Sequence, residues 1–264
     1  MKILSCLRFA VWSFLLGGLF FAAVAPASGK ASKKEATTTS PAAKEEDPLP
    51  LKPSRKVEFT TNEGTWLSLD VSPDGQTILF ELVGDLYTVP MSGGEAKKLT
   101  SGMAFNSMPH YSPDGKKIAY ISDKGGSENV WISNPDGTND KQLSQDDQSE
   151  FTSPVWSADG DYVIAGRTTQ FPIGASELWM YHVKGGGGVQ VTKSHTKPDL
   201  PPRRWVNTLG ASPSKDGRFL YYTSRQSPNG FYNVTLPLSQ ITRRDLTTGD
   251  EDQSPTRQAA LCDR

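Results

Sequence analysis

A short motif that recurs four times limits the possible folds of this chain more than any other feature. Each copy has the form Ser-x-Asp-Gly, and successive copies start roughly 40 to 57 residues apart. The copies are Ser72-Pro73-Asp74-Gly75, Ser112-Pro113-Asp114-Gly115, Ser157-Ala158-Asp159-Gly160 and Ser214-Lys215-Asp216-Gly217. A repeat of this length is typical of a propeller blade with four strands. The sequence therefore predicts a series of about four blades.

The segments that follow each motif alternate apolar and polar residues, as half-buried antiparallel strands do. In the four repeats, taken in order, the first such segment is Thr77–Phe80, Lys117–Tyr120, Tyr162–Ala165 and Phe219–Tyr222. The next segment, in the same order, is Asp85–Val89, Asn129–Ile132, Glu177–Met180 and Gln240–Arg243. After a glycine turn, the first three units close with Lys98–Thr100, Gln142–Ser144 and Gln190–Thr192. We predict an all-β fold, a β-propeller of four-stranded antiparallel blades with about four blades and an incomplete ring.

Two sets of repeated side chains resemble functional sites, but we assign them structural roles. The motif aspartates Asp74, Asp114, Asp159 and Asp216 form a row of carboxylates in the sequence. Because Asp is favoured in tight turns and Gly takes the left-handed position, we predict that they shape hairpins. The aromatic residues Tyr87, Trp131 and Trp179 occupy one position of the repeat. We predict that they pack between blades and do not stack on a ligand.

The first 55 residues have the composition of an export signal and a linker. Lys2 and Arg8 make the first residues basic, an apolar run follows from Phe9 to Val24, and Ala25-Pro26-Ala27 offers a small-residue cleavage site. The apolar run is shorter than the roughly 20 residues of a spanning helix, so we favour a cleaved signal at 1–27 over a retained anchor. Residues 28–55 are rich in Lys, Ala, Ser, Thr, Pro and Glu and predict a disordered linker.

The predicted propeller occupies residues 56–250, and residues 251–264 read as an irregular tail left by truncation. The chain carries 28 basic and 29 acidic residues, for a net charge of -1. This balance disfavours a nucleic-acid partner, which needs clustered Lys and Arg. Cys6 and Cys262 are the only cysteines, which excludes a disulfide scaffold and a cysteine-based zinc site.

The repeats from about Glu63 to Gly249 resemble the TolB-like (PD40/WD40-like) propellers of exported bacterial proteins. The segments Glu63-Gly64-Thr65-Trp66, Gly84-Asp85-Leu86-Tyr87 and Gly93-Gly94-Glu95-Ala96 resemble most closely the N-terminal propeller of exported amidohydrolases. That resemblance implies a parent protein in which a metal-dependent hydrolase barrel follows the propeller. The His-x-His pair that begins the metal site of that family is not present in this sequence.

The sequence contains no recognisable catalytic set, so we assign no catalytic, metal-binding or cofactor-binding residue. There is no Gly-x-Ser-x-Gly motif, and His110, His182 and His195 are far apart. His110 lies two residues before its motif, where the other copies have Asp70, Val155 and Ser212, and is a candidate for binding. The insertion from Lys193 to Ser212 contains Arg203, Arg204 and Trp205, residue types enriched at interfaces. This insertion is our candidate interaction loop, and its alternative role is to cover a blade edge.

Three functions remain open. The first is a non-catalytic scaffold, the front part of an exported amidohydrolase-type protein that controls access or docks substrates. The alternative is a stand-alone periplasmic module that, like TolB, binds an envelope lipoprotein or peptide. A third hypothesis, the propeller of a serine oligopeptidase, would place its triad beyond Arg264. We expect a protein or peptide partner or a hydrolase domain, no nucleic acid, and membrane contact only through the export signal. An open stack of blades should also expose apolar surface at its ends and aggregate readily.

Overall fold

The computed structural model describes residues 55, 57–169, 176–193, 206–226 and 239–253. These residues form four sheets, each with four antiparallel strands in chain order. Blade 1 contains β1 (Leu69–Val71), β2 (Thr77–Leu82), β3 (Asp85–Pro90) and β4 (Lys97–Lys98). Blade 2 contains β5 (Asn106–Tyr111), β6 (Ile118–Ser122), β7 (Asn129–Ser133) and β8 (Lys141–Gln142). Blade 3 contains β9 (Ser149–Trp156), β10 (Tyr162–Thr169), β11 (Ser176–His182) and β12 (Val189–Gln190). Blade 4 contains β13 (Val206–Pro213), β14 (Phe219–Gln226), β15 (Ser239–Asp245) and β16 (Glu251–Gln253).

The repeated motif forms the hairpin between the first and second strands of every blade. In blade 2, the Ser112 hydroxyl donates to Asp114 Oδ1 over 2.7 Å and accepts the N–H of Lys117 over 2.9 Å. The same Oδ1 accepts the N–H of Lys116. Gly115 closes the turn with a φ of 70°, which an L side chain adopts at a cost. The corresponding Ser–Asp bonds recur in the other three blades, so the prediction that the aspartates are turn formers is confirmed.

Successive blades pack face against face. We call the side of a blade that packs on the preceding blade its near face, and the opposite side its far face. Blades 1 and 2 meet through Leu79 and Leu86 on one side and Ile118 and Tyr120 on the other. Similar apolar clusters join blade 2 to blade 3 and blade 3 to blade 4. Among the described residues the blades contact one another in chain order, and large apolar side chains are exposed on the near face of blade 1 and the far face of blade 4. The four described blades therefore do not close a ring, as predicted.

The closing strands are shorter than the sequence suggested and begin one residue earlier. We expected blade 2 to close with Gln142–Ser144, but the paired residues are Lys141 and Gln142. The reason is a hydroxyl that replaces a backbone acceptor: the Val130 N–H donates to Ser144 Oγ over 2.9 Å. Thr100 and Thr192 accept the equivalent N–H groups in blades 1 and 3. The repeated Ser or Thr thus ends the ladder without leaving a buried donor unpaired.

The prediction of an irregular tail from residue 251 is wrong for its first three residues. Glu251–Gln253 form β16, which pairs with β15 in the register Thr242 with Gln253. Ion pairs between Arg243 and Asp252 and between Arg244 and Glu251 connect the two strands. Opposite charges directly across an antiparallel pair stabilise the pairing. Apolar alternation could not reveal this strand because its residues are all exposed and polar.

The predicted signal at 1–27 and almost all of the predicted linker at 28–55 lie outside the described residues, as does the rest of the predicted tail. In the described ranges, no helix is both long and apolar enough to cross a membrane.

Candidate functional site at the inner strands

The first strands of the four blades lie next to one another and carry a repeated irregularity. β5 contacts both β1 and β9, and β9 also contacts β13. A β-bulge interrupts β5, β9 and β13, with φ angles of 52° at Met108, 49° at Ser153 and 62° at Gly210. Left-handed backbone at a residue other than Gly costs roughly 1–2 kcal/mol. Because bulges re-aim backbone groups, they give these strands hydrogen-bonding groups that point away from their own sheet.

Two side chains that occupy the same position of the repeat, one in blade 1 and one in blade 2, lie next to each other. Asp70 on β1 and His110 on β5 both lie two residues before their motif. Their atoms Oδ2 and Nδ1 are 3.5 Å apart, and each side chain is about one-third exposed, at 31% and 35%. Asp70 also accepts the backbone N–H groups of Tyr111 and Val71, each over 2.8 Å. The pair therefore joins blade 1 to blade 2 and still faces solvent.

The surroundings of Asp70 keep it ionised. Partial burial acts to raise the pKa of its carboxyl group, but hydrogen bonds from His110 and from the backbone N–H groups of Tyr111 and Val71 outweigh burial. The pKa of Asp70 is therefore below its usual range. A second carboxylate lies at the same boundary, because Glu81 Oε2 accepts the N–H of Met108 at the bulge over 2.8 Å. We call Asp70, Glu81, Met108 and His110 the inner-strand site.

The residues of the inner-strand site also connect neighbouring blades. The carbonyl oxygen of His110 accepts a hydrogen bond from Trp156 Nε1 of blade 3 over 3.0 Å, while its ring lies against Asp70 of blade 1. His110 thus connects three blades, and its role in binding a partner stays a prediction. Asp70 was not singled out from the sequence, although it occupies the same position of the repeat as His110 and could have been found in that way.

The second candidate from the sequence cannot be placed. Arg203, Arg204 and Trp205 lie outside the described residues, so the predicted interaction loop stays a prediction. The same holds for Cys262.

The three aromatic residues Tyr87, Trp131 and Trp179 have different surroundings, which depend on the position of their blade in the stack. Trp131 is 9% exposed and donates its indole N–H to the Ser122 carbonyl, and Trp179 packs on the cluster between blades 2 and 3. For these two residues the prediction of blade packing is confirmed. Tyr87 differs, because it stacks on Phe80 at 5.6 Å between ring centres and lines the open groove of blade 1.

Ionisable groups elsewhere in the described ranges do not assemble into a metal site: no group of three His, Cys, Asp or Glu side chains there could hold a metal ion. Burial, and then the charges of Glu150 and Asp123, raise the pKa of the Glu128 carboxyl group.

The family of the chain follows from a match over these blades. The family model described as the tricorn protease N-terminal beta propeller domain matches residues 68–229. The chain belongs to this family. The match begins one residue before β1 and extends past β14, so this tricorn-type propeller domain includes the whole inner-strand site.

Curated relatives share the propeller but are longer proteins. The Tol-Pal system protein TolB of Wolinella succinogenes is 32% identical over 210 residues, which cover 73% of this chain and 46% of TolB. Tricorn protease homolog 1 of Streptomyces coelicolor is 28% identical over 88 residues, or 33% of this chain and 8% of that protein. The tricorn-type propeller thus spans less than half the length of these relatives.

Solved structures agree on the fold. TolB from Acinetobacter baumannii has a TM-score of 0.52 and 18% identity, over 71% of this chain and 43% of its own. A puromycin hydrolase has a TM-score of 0.52 and 16% identity, over 74% of this chain and 29% of its own. At these identities the comparison establishes the fold alone, a TolB-like propeller.

Proposed function

We propose that this chain is a non-catalytic propeller module that docks a polypeptide, as the front part of an exported amidohydrolase-type protein. The observation that carries the docking role is the Asp70–His110 pair on neighbouring inner strands. Because Asp70 is ionised at neutral pH and part of its side chain is exposed, it can bind an ammonium or guanidinium group. His110 beside it supplies a second hydrogen-bonding group, which suits a peptide amino terminus or a Lys or Arg side chain.

A capture experiment with matched variants tests the docking role. The full chain, the double variant Asp70→Asn with His110→Gln, and the control Lys116→Ala are immobilised and exposed to an envelope extract. Lys116 lies on the exposed side of a turn, with 80% of its side chain accessible, and is not part of the inner-strand site. We expect one partner to be retained by the wild type and the control and lost by the double variant. Equal recovery on all three would contradict the proposal.

The non-catalytic role has its own test. We expect the purified chain to leave peptide and amide substrates intact with or without added zinc. Turnover that disappears with a chelator would contradict a purely scaffolding role. The amidohydrolase parent rests on the resemblance of the Glu63 to Ala96 segment. An immunoblot of native envelope fractions should then show a band several times heavier than 28.8 kDa.

A stand-alone interaction module is the second candidate, and the similarity to TolB over 73% of the chain favours it. This candidate predicts a band at or just below 28.8 kDa in the same immunoblot. Both candidates require export, which the pattern of residues 1–27 supports. Export is tested by the size shift that follows signal cleavage and by the presence of the shorter product outside the cytoplasm.

A further inference from the structure

The bulges of the first strands direct backbone N–H groups towards the preceding blade, and the blade boundaries treat these donors differently. Between blades 1 and 2, the carboxylate oxygen Oε2 of Glu81 accepts the N–H of Met108 over 2.8 Å. Between blades 2 and 3, the N–H of Ser153 donates to Met108 Sδ over 3.2 Å, although a thioether is a weak acceptor. The bulge residue of blade 4 is Gly210, to which the pairing of β13 with β14 gives no partner. The acceptor for a bulge N–H is therefore not the same from one boundary to the next.

Gly166 occupies in blade 3 the position that Glu81 has in blade 1. Each lies seven residues after its motif aspartate, and Gly210, like Met108, lies six residues before its own. The two bulge residues also share a left-handed backbone, with φ angles of 62° and 52°. Ile164 precedes Gly166 by two residues on the same side of the strand and packs against blade 4. Because glycine has no side chain, the Glu81 carboxylate has no counterpart at this position in blade 3.

Two hydroxyl groups converge on Gly166. A Cβ atom at this position would lie 2.7 Å from Thr152 Oγ1 and 3.2 Å from Ser176 Oγ. Ser176 is 4% exposed, and its Oγ has no hydrogen-bond partner among the described residues. The backbone of Ser176 is held by blade 4, because its N–H donates to Asn207 Oδ1 over 2.9 Å and its carbonyl accepts the Thr208 hydroxyl over 3.1 Å. A buried hydroxyl without a partner costs free energy, and a ligand that accepts its proton removes that cost.

The available groups match the chemistry of a carboxylate. The N–H of Gly210 and the hydroxyls of Thr152 and Ser176 can all donate, and an ionised carboxylate only accepts, at about four positions. Hydrogen bonds to an ionised acceptor are also stronger than those to a neutral one. Gly210 is exposed and Thr152 is half-buried, so a small ligand can reach these groups from solvent.

We propose that Gly210, Thr152 and Ser176 bind a carboxylate between blades 3 and 4, in the place that corresponds to the Glu81 carboxylate between blades 1 and 2. The carboxylate comes from a small free acid or from the carboxyl terminus of a polypeptide. Gly166 provides the space for it. The site lies at a different blade boundary from Asp70 and His110, so this inference does not depend on the docking role proposed above.

A titration followed by nuclear magnetic resonance tests the site directly. The full chain labelled with ¹⁵N is titrated with sodium acetate, and sodium chloride at the same ionic strength is the control. We expect the amide proton of Gly210 to shift downfield and to saturate with acetate, because it forms a hydrogen bond to an ionised acceptor. The proposal is overturned if acetate gives no saturable shift or if chloride gives the same one.

Substitutions that remove one hydroxyl each identify the contacts. Thr152→Val and Ser176→Ala should each weaken acetate binding by at least about tenfold, the effect of losing a hydrogen bond to a charged group. Ser176→Ala removes a hydroxyl that has no partner in the free protein, so the fold should be retained. Thr169→Val, at the exposed last residue of β10, is the matched control and should bind acetate as the wild type does. Unchanged acetate binding by both site variants would overturn the proposal.

Two capped peptides distinguish the sources of the carboxylate. Acetyl-glycyl-glycine has a free carboxyl terminus, and its amide has the same length without the negative charge. Saturation of the Gly210 shift by the acid and not by the amide would support a polypeptide carboxyl terminus as the ligand. Saturation by acetate alone would support a small free acid. Equal shifts with the acid and the amide would overturn recognition of a carboxylate.

Discussion

The hydroxyl that closes each of the first three blades gives the sharpest test of how the repeat is stabilised. Ser144 Oγ accepts the Val130 N–H over 2.9 Å and donates to Asn129 Oδ1 over 2.7 Å. Val130 is fully buried and Ser144 is 2% exposed, so water cannot replace the hydroxyl. We predict that Ser144→Ala destabilises the chain.

The expected magnitude follows from the groups that lose a partner. A buried N–H left without an acceptor costs about 1–3 kcal/mol. Asn129 Oδ1 keeps the Asp146 N–H at 3.1 Å as a donor, so its loss is smaller. We expect a total loss of about 2–3 kcal/mol in the free energy of unfolding. With a urea dependence of about 2–3 kcal/mol per molar, the unfolding midpoint should fall by about 1 M.

The other blades supply the matched control. Thr100 and Thr192 make the same hydrogen bond with a threonine hydroxyl, so Ser144→Thr keeps the acceptor. Urea unfolding followed by the fluorescence of the buried Trp131 and Trp156 measures all three proteins. We expect Ser144→Thr to lose less stability than Ser144→Ala, because it keeps the hydroxyl acceptor and adds only a methyl group to be accommodated at the buried site. The argument fails if Ser144→Ala is as stable as the wild type or if Ser144→Thr loses as much as Ser144→Ala.

Three further predictions use the same unfolding assay. Leu178→Ala removes a fully buried side chain between blades 3 and 4 and should cost about 2–5 kcal/mol, whereas the exposed Val189→Ala should change stability by less than about 0.5 kcal/mol. Gly217→Ala should cost about 1–2 kcal/mol because its φ of 72° is left-handed, while Gly187→Ala, which has open space around its Cβ position, should not. The serine hydroxyls of the turns lower the pKa of the four motif aspartates. The stability that these turns contribute is therefore complete above pH about 4, the pKa of an aspartate in the unfolded chain. It should be lost as the pH falls through the lower pKa values of the folded state. A midpoint that does not change between pH 5 and pH 2.5 would contradict the last prediction.

The sequence was sufficient for the fold because each blade begins with a local signal. The Ser-x-Asp-Gly turn is built from contacts within six residues, such as Ser112 with Asp114 and Lys117, and such contacts depend little on the rest of the chain. The strand Glu251–Gln253 was missed although its partners Arg243 and Arg244 are only seven to nine residues away. Its three residues are all exposed and polar, so it has no apolar alternation by which the sequence could indicate a strand.

The inner-strand site was only half visible for a similar reason. The sequence indicated His110 as a single histidine at a position of the repeat where the other copies differ, but its partner Asp70 is 40 residues away. The repeat places the two residues at equivalent positions of neighbouring blades, and the stacking of first strands brings them together. The bulge at Met108 has no sequence signal, because its left-handed φ of 52° occurs at a residue that does not favour it.

The contrast between Tyr87 and Trp131 shows why position in the stack, and not residue type, decides function here. Both residues occupy the same place on the third strand and face the preceding blade. Trp131 is covered by blade 1 and becomes core, whereas Tyr87 is covered by no other blade among the described residues and lines an open groove. A residue that stabilises the inner blades is therefore available for recognition when it lies at an end of the stack.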